Sequence, residues 1–188
     1  MALAECPVGA PMNAAVDSTA SPLAMNSAAY AEVTEWLYRE AQLLDRGDFG
    51  AWLALVSKTI VYEMPTRTAV LPKQGSGFHD EFGLFADNYS SLSTRVKRLQ
   101  TDQAWAEQPR SRTRHYVSNV LVDRDAEGAL HATSSILVTR LRPNRPVDLF
   151  PGERLDVLRK EDGGLKLARR RILLDETVLE SHNLSVLF

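Results

Sequence analysis

At 188 residues, with 44% apolar and 24% charged side chains, the chain is long enough for one globular domain with its own core. A net charge of −2 gives no pull toward nucleic acid or anionic membrane, and Cys6, the only cysteine, excludes an internal disulfide and fits a reducing compartment. No stretch approaches the roughly 18 apolar residues of a membrane helix and no signal peptide is evident, so the cytoplasm is the expected location.

Residues 1–26 are mostly Ala, Pro, Ser, Met and Asn, with Pro7, Pro11 and Pro22 interrupting any helix. A disordered or loosely packed tail is predicted there, followed by a single domain over 27–188. Asn26 or Ser27 is placed to cap a first helix, because either side chain accepts bonds from free N–H groups of the first turn. Val33, Trp36, Leu37, Glu40, Leu43 and Leu44 then recur near one face at the helical period, with Glu40 the single polar interruption. Gly47 ends that helix, and Asp48 caps a short second one holding Phe49, Trp52, Leu53 and Val56. A strand is predicted over Thr59–Met64, stopped by Pro65. Residues 66–80, with Pro72, Gly75 and Gly77, read as a loop. From Glu81 to Leu99 the helical period returns through Phe82, Phe85, Tyr89, Leu92 and Val96.

The second half alternates. Thr113–Asp123 and Leu130–Leu141 flank a turn at Asp125–Gly128, and Val147–Arg159 and Leu165–Thr177 flank Asp162-Gly163-Gly164, two hairpin signatures. Helices followed by long antiparallel strands imply an α+β fold with the helices on one face of the sheet.

Several side chains carry possible chemistry. His115, with Arg112, Arg114 and Tyr116 nearby, reads either as an acid/base group in a pocket or as a strand histidine held by hydrogen bonds or at an interface. Arg110, Arg112 and Arg114 share one strand face, which suits an inter-subunit row of ion pairs or a solvated face. Arg169-Arg170-Arg171 divides between both faces of its strand. Arg154 and Asp156 share a face with Leu158, so an Arg–carboxylate pair there is expected to be partly buried and structural. Of Glu40, Asp45 and Asp48, the last reads as a helix cap and Asp45 as a helix-end residue. Trp36, Trp52 and Trp105 are expected in the core or at an interface. The apolar Leu184-Ser-Val-Leu-Phe188 is expected to dock on its own sheet or on a partner.

Four segments in order carry a family resemblance: Glu40-Ala-Gln-Leu-Leu-Asp45 with Trp52, Trp105 to Val120, Gly152-Glu-Arg-Leu-Asp-Val-Leu-Arg159, and Arg171-Ile-Leu-Leu-Asp175 with Asn183-Leu-Ser. From about Val33 to Phe188 the chain resembles the small (beta) subunit of bacterial aromatic-ring-hydroxylating dioxygenases, most closely the biphenyl, toluene and naphthalene branch. The resemblance implies the cone-shaped fold of scytalone dehydratase and nuclear-transport-factor-like proteins, a curved sheet around N-terminal helices. It implies a partner large (alpha) subunit, with three alpha and three beta chains in a hetero-hexamer, and a reductase and ferredoxin passing electrons from NAD(P)H. The activity it implies for the complex is conversion of an aromatic hydrocarbon to a cis-dihydrodiol with O₂.

Such an enzyme needs a Rieske cluster, built on two Cys and two His, and a mononuclear Fe(II) site of two His and a carboxylate. One cysteine excludes the first from this chain. His79, His115, His131 and His182 are scattered, with no helical pair to preorganise the second. Both centres are expected in the alpha subunit, and no catalytic, cofactor-binding or metal-binding residue is expected here. Two other readings remain: a free-standing cone-fold dehydratase or isomerase using His115, Tyr62 or Asp156, and a small-ligand binding module. The sequence leaves open whether the cone is filled or hollow.

Overall fold

The computed structural model describes residues 20–69, 77–100, 110–143, 145–179, 181, 184 and 186–188, with the backbone alone at 80–82. Helix α1, Ala28–Arg46, begins at Ser27, whose side chain accepts the Tyr30 N–H at 3.3 Å. It ends at Gly47, where φ is +70° and the backbone N–H returns to Leu43 and Leu44. That left-handed conformation favours glycine. The face predicted from the period is the buried one, Glu40 included. Asp48 accepts from Ala51 N at 3.1 Å and starts α2, Phe49–Ala54, whose Trp52 is fully buried.

Seven strands form one sheet in the order β1-β4-β5-β6-β7-β2-β3. Strands β4 (Arg112–Arg124), β5 (Leu130–Leu141), β6 (Asp148–Glu161) and β7 (Gly164–Leu174) are successive antiparallel neighbours, as the hairpin signals predict. Asp162 and Gly163 both have positive φ, +49° and +80°, the tight turn whose twist matches its strands. Strand β2 (Val56–Arg67) adds parallel to β7, and β3 (Phe78–Asp87) pairs antiparallel with β2.

Helix α1 reaches across this sheet. Its Tyr30 hydroxyl donates to Val120 O on β4, and its Trp36 indole N–H donates to Leu165 O on β7 at 3.1 Å. Two strands lie between β4 and β7, and α1 spans them on the concave face of the curved sheet. The core fills that concavity: Leu37 and Leu44 from α1, Val138 from β5, Phe150 and Leu158 from β6, Ile172 from β7.

Four expectations need correction. Strand β2 does not stop at Pro65. The proline sits at a register shift against Gly83 of β3, beyond the last β7 partner of β2 at Glu63, so its missing N–H breaks no ladder bond. The helix predicted from Glu81 is β3 followed by α3, Tyr89–Leu99. Asn88 accepts from Ser91 N at 3.1 Å while Ser91 Oγ accepts from Asn88 N at 2.9 Å, a reciprocal cap that fixes the true start. The loop over 66–80 is also shorter, since Thr66, Arg67 and Phe78–Asp80 are strand; 70–76 lie outside the described residues. The tail is engaged from Ser21: Ser21 and Pro22 form β1 against Arg124 and Asp123, and Leu23 N donates to Val122 O at 2.8 Å. Residues 1–19 lie outside the described residues, as do Trp105, His182 and Asn183.

Strand β4 alternates in two phases. Asn119, at φ +51°, lies in a register shift between Ser118 and Leu121. Before it, Ser111 and His115 are buried; after it, Val120 and Val122 are.

Candidate functional site

The chemistry-bearing side chains converge inside the cone. On β6 the alternation sends Arg154, Asp156 and Leu158 inward, and on β7 it sends Arg170 and Ile172 inward. Register places Asp156 directly across from Arg170. The guanidinium then makes two fork-to-fork pairs. Nε and Nη2 donate to Asp156 at 2.7 and 2.8 Å, and Nη1 and Nη2 donate to Glu40 of α1 at 2.7 and 2.8 Å. Arg154 lies within 3.2 Å of Asp156 and 3.4 Å of Glu40. Trp52 Nε1 donates to the same Glu40 at 3.0 Å. Four fully buried charges therefore sum to zero, with two guanidinium groups against two carboxylates.

Desolvation alone would raise the Glu40 carboxyl. Arg170, Arg154 and the Trp52 bond outweigh it and bring its carboxyl below the usual range. Burial pulls Arg154 down, helped by the neighbouring Arg170 charge, while Asp156 and Glu40 overcome the burial of Arg170 and raise it further. Burial raises the Tyr62 hydroxyl. Arg154 is the less well served cation: its Nε and Nη2 make no hydrogen bond among the described residues, and neither does Ser134 Oγ, on the residue opposite it in β5.

His115 projects inward from β4, 8% exposed. Its Nδ1 lies 2.6 Å from Asp45 Oδ1, and its own backbone N–H donates to that carboxylate at 3.1 Å. Its Nε2 lies 2.8 Å from Leu187 O. The carbonyl and the carboxylate both only accept, so the ring meets each of them through a nitrogen that donates. Asp45, read from sequence as a plain helix-end residue, thus orients the histidine. The signal was an acid at the sheet-facing end of α1 and a histidine on an inward strand position, 70 residues apart.

The interior is filled by the chain itself. Val186, Leu187 and Phe188 are buried. Tyr62 OH donates to Phe188 O at 3.0 Å and accepts from Phe188 N at 2.9 Å, and Arg170 Nη1 donates to the same oxygen. The Phe188 ring meets Phe150 edge-on at 5.7 Å and 88°. The expected docking of the closing segment is therefore onto its own sheet.

The remaining candidates lie elsewhere. Arg112 and Arg114 share the outer face of β4, but Arg110 stands two residues before the strand begins, so the three do not form one strand row. Arg110 donates to Arg46 O and lies 4.9 Å over the Phe49 ring, and Arg114 reaches Asp45 at 3.5 Å, so two of the three brace the end of α1. Arg169 and Arg171 turn outward to Glu63 at 3.2 and 3.9 Å, away from Arg170. Arg154 and Asp156 are fully rather than partly buried. His131 pairs with Asp125 at 2.8 Å at the β4–β5 turn, and His79 is exposed on β3. Among the described residues no group of three or more His, Cys, Asp or Glu is arranged to hold a metal ion, and no helix is long and apolar enough to cross a membrane.

The chain as a whole is similar to several known proteins. The biphenyl 2,3-dioxygenase beta subunit of Rhodococcus jostii is 37% identical over 163 residues, covering 84% of this chain and 87% of that one. A solved structure of naphthalene 1,2-dioxygenase with indole bound in the active site superposes with a TM-score of 0.74 at 29% identity, over 83% of both chains. A putative scytalone dehydratase from Novosphingobium aromaticivorans superposes at 0.60 with 18% identity, covering 82% of this chain and 89% of that one, which shows the cone fold alone. Residues 39–181 match the ring hydroxylating beta subunit family, and the chain is a beta subunit of that family of ring-hydroxylating dioxygenases.

Proposed function

We propose that this chain is a structural subunit that contributes no catalytic group to its dioxygenase. It holds large alpha subunits in a hetero-hexamer of three alpha and three beta chains, working in the cytoplasm. In this reading the Rieske [2Fe–2S] cluster and the mononuclear Fe(II) sit in the alpha subunit. Electrons reach them from NAD(P)H through a reductase and a ferredoxin, and an aromatic hydrocarbon leaves as a cis-dihydrodiol.

The observation that carries the non-catalytic reading is that every acid/base candidate is already bonded to its own chain. A general acid or base has to reach a proton on the substrate. His115 has both ring nitrogens engaged, Tyr62 is bonded twice to Phe188, and Asp156 is held by Arg170 and Arg154. A free-standing dehydratase or isomerase needs at least one of these groups open.

The outer face supports the assembly reading. Tyr116, Leu121 and Leu149 stand 54%, 58% and 51% exposed on β4 and β6, with Arg112 exposed beside Leu141. Apolar side chains gathered on one face next to an arginine are the composition of a protein interface. The test is co-expression with the large subunit and turnover per assembled complex. His115→Ala is expected to stay within a few-fold of wild type, and a complex that assembles normally yet is catalytically dead overturns the reading.

A further inference from the structure

Residues Val186–Phe188 are held inside the cone as a ligand is held. Every polar contact recorded for them is made by their main chain: Leu187 O to His115, Phe188 N and O to Tyr62, and Phe188 O to Arg170. The one ring enters an aromatic pocket against Phe150. We propose that the cone interior is a binding site for a short acyl-amide compound bearing an aryl group, kept filled by the chain's own Val186–Phe188.

Three observations support it. First, the groups that grip the segment are positioned without it. Arg170 is fixed by its two fork-to-fork pairs, His115 by Asp45, and Tyr62 by its strand and an edge-on contact with Trp52 at 6.5 Å. A site whose donors are locked by their own frame survives removal of its occupant. Second, Leu187 O and Phe188 N belong to one peptide group, and His115 and Tyr62 grip it at its two ends. An acceptor and a donor on one planar unit select an acyl amide, with a further oxygen acceptor beyond it for Tyr62 and Arg170. Third, the segment does not exhaust the site's polarity. Arg154 Nη2 and Ser134 Oγ, both buried and opposite each other on β6 and β5, make no hydrogen bond among the described residues. Buried donors of that kind cost stability unless an acceptor reaches them.

The full chain provides the first test. Native-state hydrogen exchange is expected to release the Leu187 and Phe188 amides through a local opening that leaves β5 and β6 protected. Exchange of those amides only with global unfolding overturns the proposal, because a segment that never leaves is no exchangeable occupant. The second test uses a chain ending at residue 185, probed with N-acetyl-Val-Leu-Phe amide. Its melting temperature is expected to fall relative to the full chain and then rise progressively with added tripeptide, as for any ligand of the native state alone. Tyr62→Phe in the shortened chain should weaken tripeptide binding roughly tenfold or more, since it removes both hydrogen bonds that the hydroxyl makes to Phe188. A folded shortened chain whose melting point ignores the tripeptide overturns the proposal, as does equal binding of N-acetyl-Val-Leu-Ala amide. Neither measurement involves the large subunit, so its failure is distinct from failure of the assembly reading.

Discussion

Strands β4, β5 and β6 carry His115, Ser134, Arg140, Arg154 and Asp156 on the face turned to the helices, all buried. On the face turned away the same strands carry Arg112, Arg114, Tyr116 and Leu149, all exposed. Convention would put the apolar groups inside and the charges outside. Here a substantial part of each is reversed. Inside, the cost of burying charge is met by pairing every carboxylate with a guanidinium at close range. Outside, apolar and basic side chains are left together on one surface. The difference separates two jobs: the inner face specifies the fold, and the outer face is available to a partner.

The largest effect is expected inside. Arg170→Ala leaves the poorly aligned Arg154 as the one cation beside Glu40 and Asp156 among the described residues, and should cost about 3–5 kcal/mol of stability by urea denaturation, the usual result of stripping one partner from a buried pair. A cost below about 1 kcal/mol would mean that water enters the cone and solvates the carboxylates.

His115→Ala should be next. It removes a side chain bonded to both Asp45 and Leu187 O and leaves the carboxylate short of a partner, at about 1–3 kcal/mol. His115→Asn, which can keep one of the two bonds, should recover part of that loss in the same melt.

Acid offers a smaller and continuous lever. Because the folded pKa of Glu40 is lowered, its stabilising contribution is fully present above the ordinary carboxylate range and is lost as pH falls through the lowered value. Urea midpoints measured downward from neutral pH should therefore drop most steeply at the acid end. Glu40→Gln should flatten that slope while lowering stability near neutrality. An unchanged slope in Glu40→Gln would assign the acid sensitivity to other carboxylates.

The smallest effect on the isolated chain belongs to the outer face. Arg112→Glu and Tyr116→Ser should each stay within about 0.5 kcal/mol of wild type in melting experiments. The same variants should weaken recovery of the assembled complex with the large subunit by size exclusion. A variant that unfolds the lone chain but assembles normally would invert the assignment of the two faces.

What the sequence made legible was local. Ser27, Gly47 and Asp48 mark the helix ends because capping involves residues only three or four apart. Asp162-Gly163 marks its hairpin because two positive φ angles demand such residues. The cone shape came from the family resemblance rather than from periodicity. The segment after Glu81 was misread because Phe82, Phe85 and Tyr89 fit a helical period by spacing alone. The decisive signals were pairing with β2 and the Asn88–Ser91 cap. Glu40 stood out as a polar break in an apolar face, yet its partner Arg170 lies 130 residues away, beyond any local pattern. The Arg154 and Asp156 pairing was visible as a shared strand face, but not that it forms half of a four-charge cluster.

The bulge at Asn119 has a consequence for anyone aligning or redesigning this protein. Strand β4 behaves as two half-strands of opposite phase joined by one spacer residue: even-numbered side chains point outward before Asn119, and Leu121 points outward after it. A homologue lacking that spacer has to be aligned with a one-residue gap at that point, or half of its strand is assigned to the wrong side. Deleting Asn119 removes the spacer without inverting either half. Ser118, facing out, then precedes Val120, facing in, and the pairing with β5 runs on without a shift, so what is lost is the local bend of β4 and not the placement of His115 or the valines.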